Sequence, residues 1–205
     1  MKYLIPFILF VTLTIQVSAQ EFPSEMLHEG QVVLINGDTL SGKIKYDFTN
    51  DLIQIVVNGT VQTFSARKFQ YFTIYDVTVD MYRTFYSIPY EVQPNYKVPL
   101  IFEVLYEGKL SLLAREMIVT ETVPQYGYAY RSSYNMRRTR LSYDFYFLDQ
   151  KGKFVKYDLK KPLLYELMSR KEPQIKSYIK KNKLKTDSRR DLVRITAYYN
   201  ALIGQ

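Results

Sequence analysis

Four times between Gln31 and Tyr157 a run rich in apolar residues meets a short turn and a second such run follows behind it. Where the residues alternate, as in Leu40 through Tyr46, every second side chain falls on one face of a strand, and with the turns this reads as β-structure. The first case is Gln31-Val32-Val33-Leu34-Ile35, then Asn36-Gly37-Asp38, then Leu40 through Tyr46. Asn-Gly tolerates the positive φ of a tight hairpin turn. The device repeats at Asn58-Gly59, at Glu107-Gly108 and at Asp149 through Gly152. Between these hairpins Phe69–Tyr75 and Val77–Tyr86 are rich in aromatic and β-branched residues and also read as strands. Pro89, Pro94 and Pro99 punctuate the middle, and residues 88–97 read as a loop.

After Tyr157 the period changes to that of helices. Pro162 and Pro173 stand where a first helical turn accepts proline, ahead of Leu163, Leu164, Leu167 and Met168 in one case and Ile175, Tyr178 and Ile179 in the other. A third helix is expected behind Thr186-Asp187-Ser188, where Ser188 and Asp191 match an acidic capping box. Its stripe is Leu192, Ile195, Tyr199 and Leu202. The fold class expected is α+β: an antiparallel β-meander, as a sandwich or partly closed barrel, followed by two or three C-terminal helices packed on it.

Residues 1–19 read as a cleavable secretory signal peptide. Lys2 supplies the positive start, Leu4 through Ile15 the apolar stretch, and Val17-Ser18-Ala19 the small residues for cleavage between Ala19 and Gln20. The stretch is shorter than the roughly 20 apolar residues of a membrane-spanning helix, so no transmembrane segment is expected in the mature chain. The expected organisation is signal peptide 1–19, antiparallel β domain 20–157 and basic helical segment 158–205, with localisation in the periplasm or outside the cell. The chain has no Cys, which removes disulfides and lipidation on Cys from consideration.

Charge divides the chain as sharply as periodicity does. Residues 20–150 carry 12 Lys and Arg against 15 Asp and Glu, a net of −3, whereas residues 151–205 carry 15 against 5, a net of +10. Lys176, Lys180 and Lys183 fall on one flank of the second helix and are candidate contacts for an anionic surface. The other candidate is the segment 124–140, expected as a Tyr/Arg-rich loop. Tyr126, Tyr128, Tyr130 and Tyr134 there are interleaved with Arg131, Arg137, Arg138 and Arg140, a mixture that stacks on sugars or aromatic groups. Export argues against nucleic acid as the partner.

No phosphate loop, nucleophile elbow or helical His pair occurs, and no metal or cofactor site is expected. His28 is the one histidine and falls in a segment expected to be flexible. Carboxylate chemistry needs only two acids flanking a cleft, and Asp76 with Asp80 or Glu103 with Glu107 supply the spacing. Even spacing of Glu103 and Glu107 equally suits an exposed strand edge.

Gly30 through Ile44 resembles the opening of a family of uncharacterised exported bacterial proteins, whose hairpin follows G-x-x-x-L-x-x-G-D-T-x-x-G-x-I. Phe102 through Leu112 is similar to that family's second recurring element, and Asp191-Leu192-Val193 through Tyr198-Tyr199-Asn200 to the end of its helical tail. The resemblance implies an N-terminal hairpin, a β-rich body and a basic helical C-terminus, and it implies no catalytic residue or cofactor. The leading expectation is an exported non-enzymatic binding or envelope-associated protein that contacts an anionic surface, glycan or protein partner. The alternative is a carboxylate-dependent hydrolase of envelope polymers.

Overall fold

The computed structural model describes residues 22–126 and 133–204, with the side chains of 124–126 and 133–135 outside that description. The signal segment with its Ala19–Gln20 junction, residues Tyr128, Tyr130 and Arg131, and the side chains of Tyr126 and Tyr134 therefore lie outside the described residues.

A 3-10 turn at Pro23–Glu25 leads into β1 (His28–Leu34), β2 (Thr39–Asp47), β3 (Leu52–Val57), β4 (Thr60–Ser65) and β5 (Phe69–Asp76). There follow β6 (Met81–Gln93), β7 (Tyr96–Tyr106), β8 (Leu110–Tyr126), β9 (Ser133–Asp149) and β10 (Phe154–Tyr157), then α1 (Lys161–Leu167), α2 (Glu172–Lys181) and α3 (Arg189–Gly204). All ten strands form one antiparallel sheet in the order β10-β9-β8-β7-β6-β5-β1-β2-β3-β4. It is open, with edges at β10 and β4.

The chain connectivity forces this sheet to coil. β5 pairs with β1, so β4 and β5 stand four strand steps apart in the sheet, about 19 Å if it were flat. Only Ala66, Arg67 and Lys68 join them, a link that reaches at most about 14 Å. Strands β1–β5 therefore wrap into a partly closed barrel, stitched where Ser87 Oγ donates to the carbonyl of Ala66 and Ala66 N–H to that of Asp51. Inside sit Val32, Ile44, Ile53, Ile55, Phe72 and Ile74, all fully buried, with Phe85 stacked on Phe72 at 4.6 Å.

Glycine makes the tightest part of the wrap possible. Gly30 pairs directly with Gly42. A Cβ on either would lie 2.2 Å from a neighbouring carbonyl oxygen, Thr73 O for Gly30 and Val56 O for Gly42. Gly37 is needed for a different reason, since its φ of +92° belongs to the hairpin turn. The glycines of the N-terminal motif thus have separate physical causes.

On the other half of the same inward face, β8–β10 present Leu112, Ala114, Phe145, Phe147 and Tyr157 to the helices. Leu164, Met168, Ile175, Ile179, Leu192, Ile195 and Tyr199 complete this second core, as the helical stripes require. Asn200 fixes the register of α3 on the sheet. Its Oδ1 accepts from Leu110 N–H at 3.0 Å and its Nδ2 donates to Leu110 O at 2.9 Å, so one amide stands in for a neighbouring strand. A Cβ on Gly108 would strike that same amide.

Several expectations need correction. Residues 88–97 are not a loop: β6 and β7 run through them, turning only at Pro94-Asn95, where Asn95 takes φ 63°. Pro89 and Pro99 stand opposite each other, where a non-hydrogen-bonded pair asks no N–H of either. Residues Val77–Asp80 form a turn rather than the start of a strand, with Asp80 at φ 54°. His28 is not in a flexible segment but opens β1 and is buried, its Nε2 2.7 Å from Pro23 O and its ring over Tyr46. Ahead of α3, Asp191 Oδ2 accepts from Lys185 N–H at 2.9 Å.

Candidate contact surface

The segment 124–140, expected as a loop, is mostly the far end of a long ribbon. The pairing of β8 with β7 ends at Ala114, opposite Glu103. The ladder with β9 continues without a break from Leu110↔Asp149 to Tyr126↔Ser133. Beyond Ala114 the two strands form a projecting arm. Val119, Thr120, Thr122, Val123 and Thr139 are β-branched and suit it; the interleaved Tyr and Arg obscure that signal.

Alternation divides the three described arginines between the two faces of the arm. Arg138 stands opposite Glu121 and Arg140 opposite Val119, on the face that also carries exposed Val123 and Met136. Arg137 stands opposite Thr122, on the face of Ile118 and Leu141. Arg140 Nε reaches Glu121 Oε2 at 3.0 Å. Among the described residues no ion pair forms at Arg137 or Arg138. Met117, Ile118, Val123 and Met136 are all exposed large apolar side chains. A two-stranded ribbon is marginal by itself in water, so this arm depends on how it is rooted.

Two consecutive residues make that root. Arg115 turns to one side, where Nη1 donates to Asp51 Oδ1 at 2.7 Å and to Ile101 O at 2.8 Å, and Nη2 donates to Phe48 O. Asp51 Oδ1 also accepts from Ile101 N–H at 2.7 Å. Where β8 leaves β7, the backbone of Ile101 loses its ladder partner; a carboxylate and a guanidinium replace it. Asp51 can do this because it sits in the β2–β3 turn at φ 50°, and the coiled sheet brings that turn into the split.

Glu116 turns inward and is buried. Its Oε1 accepts from Tyr46 OH at 2.6 Å and its Oε2 from Arg83 Nη2 at 2.9 Å. Arg83 holds Glu103 bidentately, through Nε at 2.9 Å and Nη2 at 2.8 Å, and donates from Nη1 to Asp76 Oδ2 at 2.8 Å and to Tyr46 OH at 3.0 Å. Arg189 of α3 reaches Glu103 from the helical side. Three carboxylates thus surround one buried guanidinium, with a second guanidinium at the margin.

The electrostatics of this cluster follow from burial and partners. Burial by itself would raise the Asp76 carboxyl, but hydrogen bonds from Thr78 and Arg83 outweigh it and hold the group below its usual value. Burial pushes the Tyr46 phenol far up, with Arg83 opposing and Glu116 reinforcing the shift. Burial works to lower Arg83, yet Glu103 and its neighbours more than offset this and hold the guanidinium firmly charged.

The acids considered from sequence are therefore placed differently from either pairing. Asp76 and Glu103 come together, but on Arg83, and Glu103 is buried in a central strand rather than on an exposed edge. Asp80 and Glu107 stay outside. A cleft of about 320 Å³ does reach Tyr46 and Glu116 from the side of Lys45 and Met117. Both Glu116 oxygens are already hydrogen-bonded, to Tyr46 and to Arg83, so Glu116 is not itself aimed at a substrate.

Lys176 and Lys180 are exposed on α2, where Lys176 pairs with Glu172 and lies over the Tyr165 ring at 4.9 Å. Lys183 is not on the helical flank. The helix ends at Lys181, Lys183 turns to φ 52°, and Leu184 N–H caps Ile179 O at 3.0 Å. Arm and helical lysines are separate features. Among the described residues no group of acids or histidines is arranged to hold a metal ion, and no helix is long and apolar enough to cross a membrane.

Comparison of the chain with protein-family models, with curated proteins and with solved structures finds no match.

Proposed function

We propose that this chain is an exported, envelope-associated binding protein and that the β8–β9 arm makes its contact with an anionic surface. The observation that carries the reading is the arm itself: Arg137, Arg138 and Arg140 project from the body beside exposed Ile118, Val123 and Met136. Basic and apolar side chains so mixed suit a layer with anionic head groups above an apolar interior. The signal-peptide character of residues 1–19 and the resemblance to exported bacterial proteins support the same compartment. Lys180, in the last turn of α2, and Lys183, beyond its end, are both exposed and add to the positive field.

Co-sedimentation with phosphatidylcholine vesicles, with and without phosphatidylglycerol, tests this. Binding should require the anionic lipid, weaken with salt and fall at least tenfold when Arg137, Arg138 and Arg140 are all replaced by Gln, since a basic residue near such a surface contributes about 1 kcal/mol. Replacing Lys176, Lys180 and Lys183 by Gln serves as the comparison and should weaken binding less. Equal binding by wild type and the arginine variant would sink the assignment to the arm.

A further inference from the structure

At the opposite end of β8 and β9 from the arm, a cleft of about 370 Å³ lies between the β9–β10 turn and the C-terminal ends of α1 and α3. Its size falls in the range of small-molecule sites. Its inner wall is apolar: Leu110, Phe147 and Tyr199 are buried, and Val155, Leu167 and Ile203 half-buried.

Its rim is basic. Lys109, Lys151, Lys153 and Arg170 are exposed around the mouth, and none forms an ion pair among the described residues. Lys109 Nζ donates to Ile203 O at 2.9 Å, which complements the carbonyl end of α3. Lys151, Lys153 and Arg170 have no such partner among the described residues. Of the two acids in the lining, Asp149 uses Oδ1 to accept the backbone N–H of Lys151 and of Lys153, both at 2.9 Å, so it shapes the turn that presents those lysines. The other, Glu166, is exposed on α1. Arg170 also lies near enough to the Tyr199 hydroxyl to oppose the upward shift that burial gives that phenol.

We propose that this cleft binds a single-chain anionic amphiphile. The acyl chain lies against the half-buried Val155, Leu167 and Ile203, with Leu110, Phe147 and Tyr199 packed behind them, and the charged head group sits among Lys151, Lys153 and Arg170. Burying the chain removes apolar surface from water on both sides, while the head group stays at the mouth, where charge-assisted hydrogen bonds are available. The arm and the cleft share no residue, so this site stands whether or not the arm binds vesicles.

Isothermal titration of the purified protein with decanoate, decyl phosphate and the neutral decyl maltoside, each below its micelle concentration, tests the proposal. Decanoate or decyl phosphate should bind and decyl maltoside should bind at least tenfold more weakly; the ratio of the two anions tells a carboxylate source from a phosphate source. The double variant Lys153→Gln, Arg170→Gln should lose at least tenfold in affinity for the tighter anion with its thermal unfolding unchanged. Val155→Trp, which fills the cleft from the wall, should lose the chain contact as well. Absence of binding by both anions, equal binding of the neutral probe, or unchanged affinity in the double charge variant would overturn it.

Discussion

Arg115 and Glu116 are neighbours in β8 clamped on opposite sides of the strand, Arg115 by Asp51 and Glu116 by Tyr46 and Arg83. Tyr46 lies in β2 and Asp51 in the turn after it, while Arg83 comes from β6. The arm is therefore anchored by groups far away in sequence rather than by its own hairpin.

Asp51→Ala should remove the outer clamp and strip Ile101 of its N–H partner. The expected cost is about 2–4 kcal/mol, because a buried amide and the Arg115 guanidinium both lose an acceptor. Hydrogen exchange of Met117 through Val123 should quicken more than that of β1–β5; uniform quickening would mean the clamp is not local to the arm.

Arg83→Met should be among the most destabilising single changes in the chain. It leaves Asp76 and Glu116 without a counter-charge and Glu103 with Arg189 alone, and breaking a buried pair in this way costs about 3–5 kcal/mol by denaturant unfolding. Arg83→Lys should rescue little, since an ammonium cannot make the bidentate contact with Glu103 together with those to Asp76 and Glu116.

Stability should fall at both ends of the pH scale through different groups. The folded Asp76 carboxyl lies below its unfolded value, so its contribution is complete above the ordinary carboxylate range and is lost as pH falls toward the folded value. The Tyr46 phenol lies above its unfolded value of about 10, so its contribution is complete below that pH and is lost progressively above it. Tyr46→Phe should cost about 1–3 kcal/mol at neutral pH and flatten the alkaline limb of the stability profile without moving the acid limb. An unchanged alkaline limb would show that another phenol governs it.

Asn200→Ala should loosen the helical layer. The Leu110 N–H and C=O would both lose their partner, at a cost of about 1–3 kcal/mol in thermal or denaturant unfolding. Asn200→Asp should restore only the acceptor half, so its stability should lie between the wild type and the alanine variant.

The strands and helices were legible because apolar period changes at Tyr157, and Pro162 and Pro173 mark the first turns of α1 and α2. Arg83 was legible only in part: it shares parity with buried Phe85, as Glu103 does with Ile101 and Glu116 with Ala114. A charged residue in the inward register is the signal that could have found the cluster. Which acids would meet which arginine depends on the coil of the sheet, set by the three-residue β4–β5 link and by Gly30 facing Gly42. Alternation within one strand carries no information about that. The arm was misread because Tyr and Arg crowd its alternation, and the β6–β7 hairpin because proline usually marks an end of strand.

Arg83 collects its partners from Tyr46, Asp76, Glu103 and Glu116, and Glu103 takes its last one from Arg189. Most strand pairs in this sheet can form from local sequence as the chain lengthens. The charge cluster cannot, because its members are spread from the second strand to the final helix. A chain lacking Arg189 would leave three inner acids facing the single guanidinium of Arg83. The docking of the last helix is thus tied to the charge balance inside the barrel, although the two lie at opposite ends of the sequence.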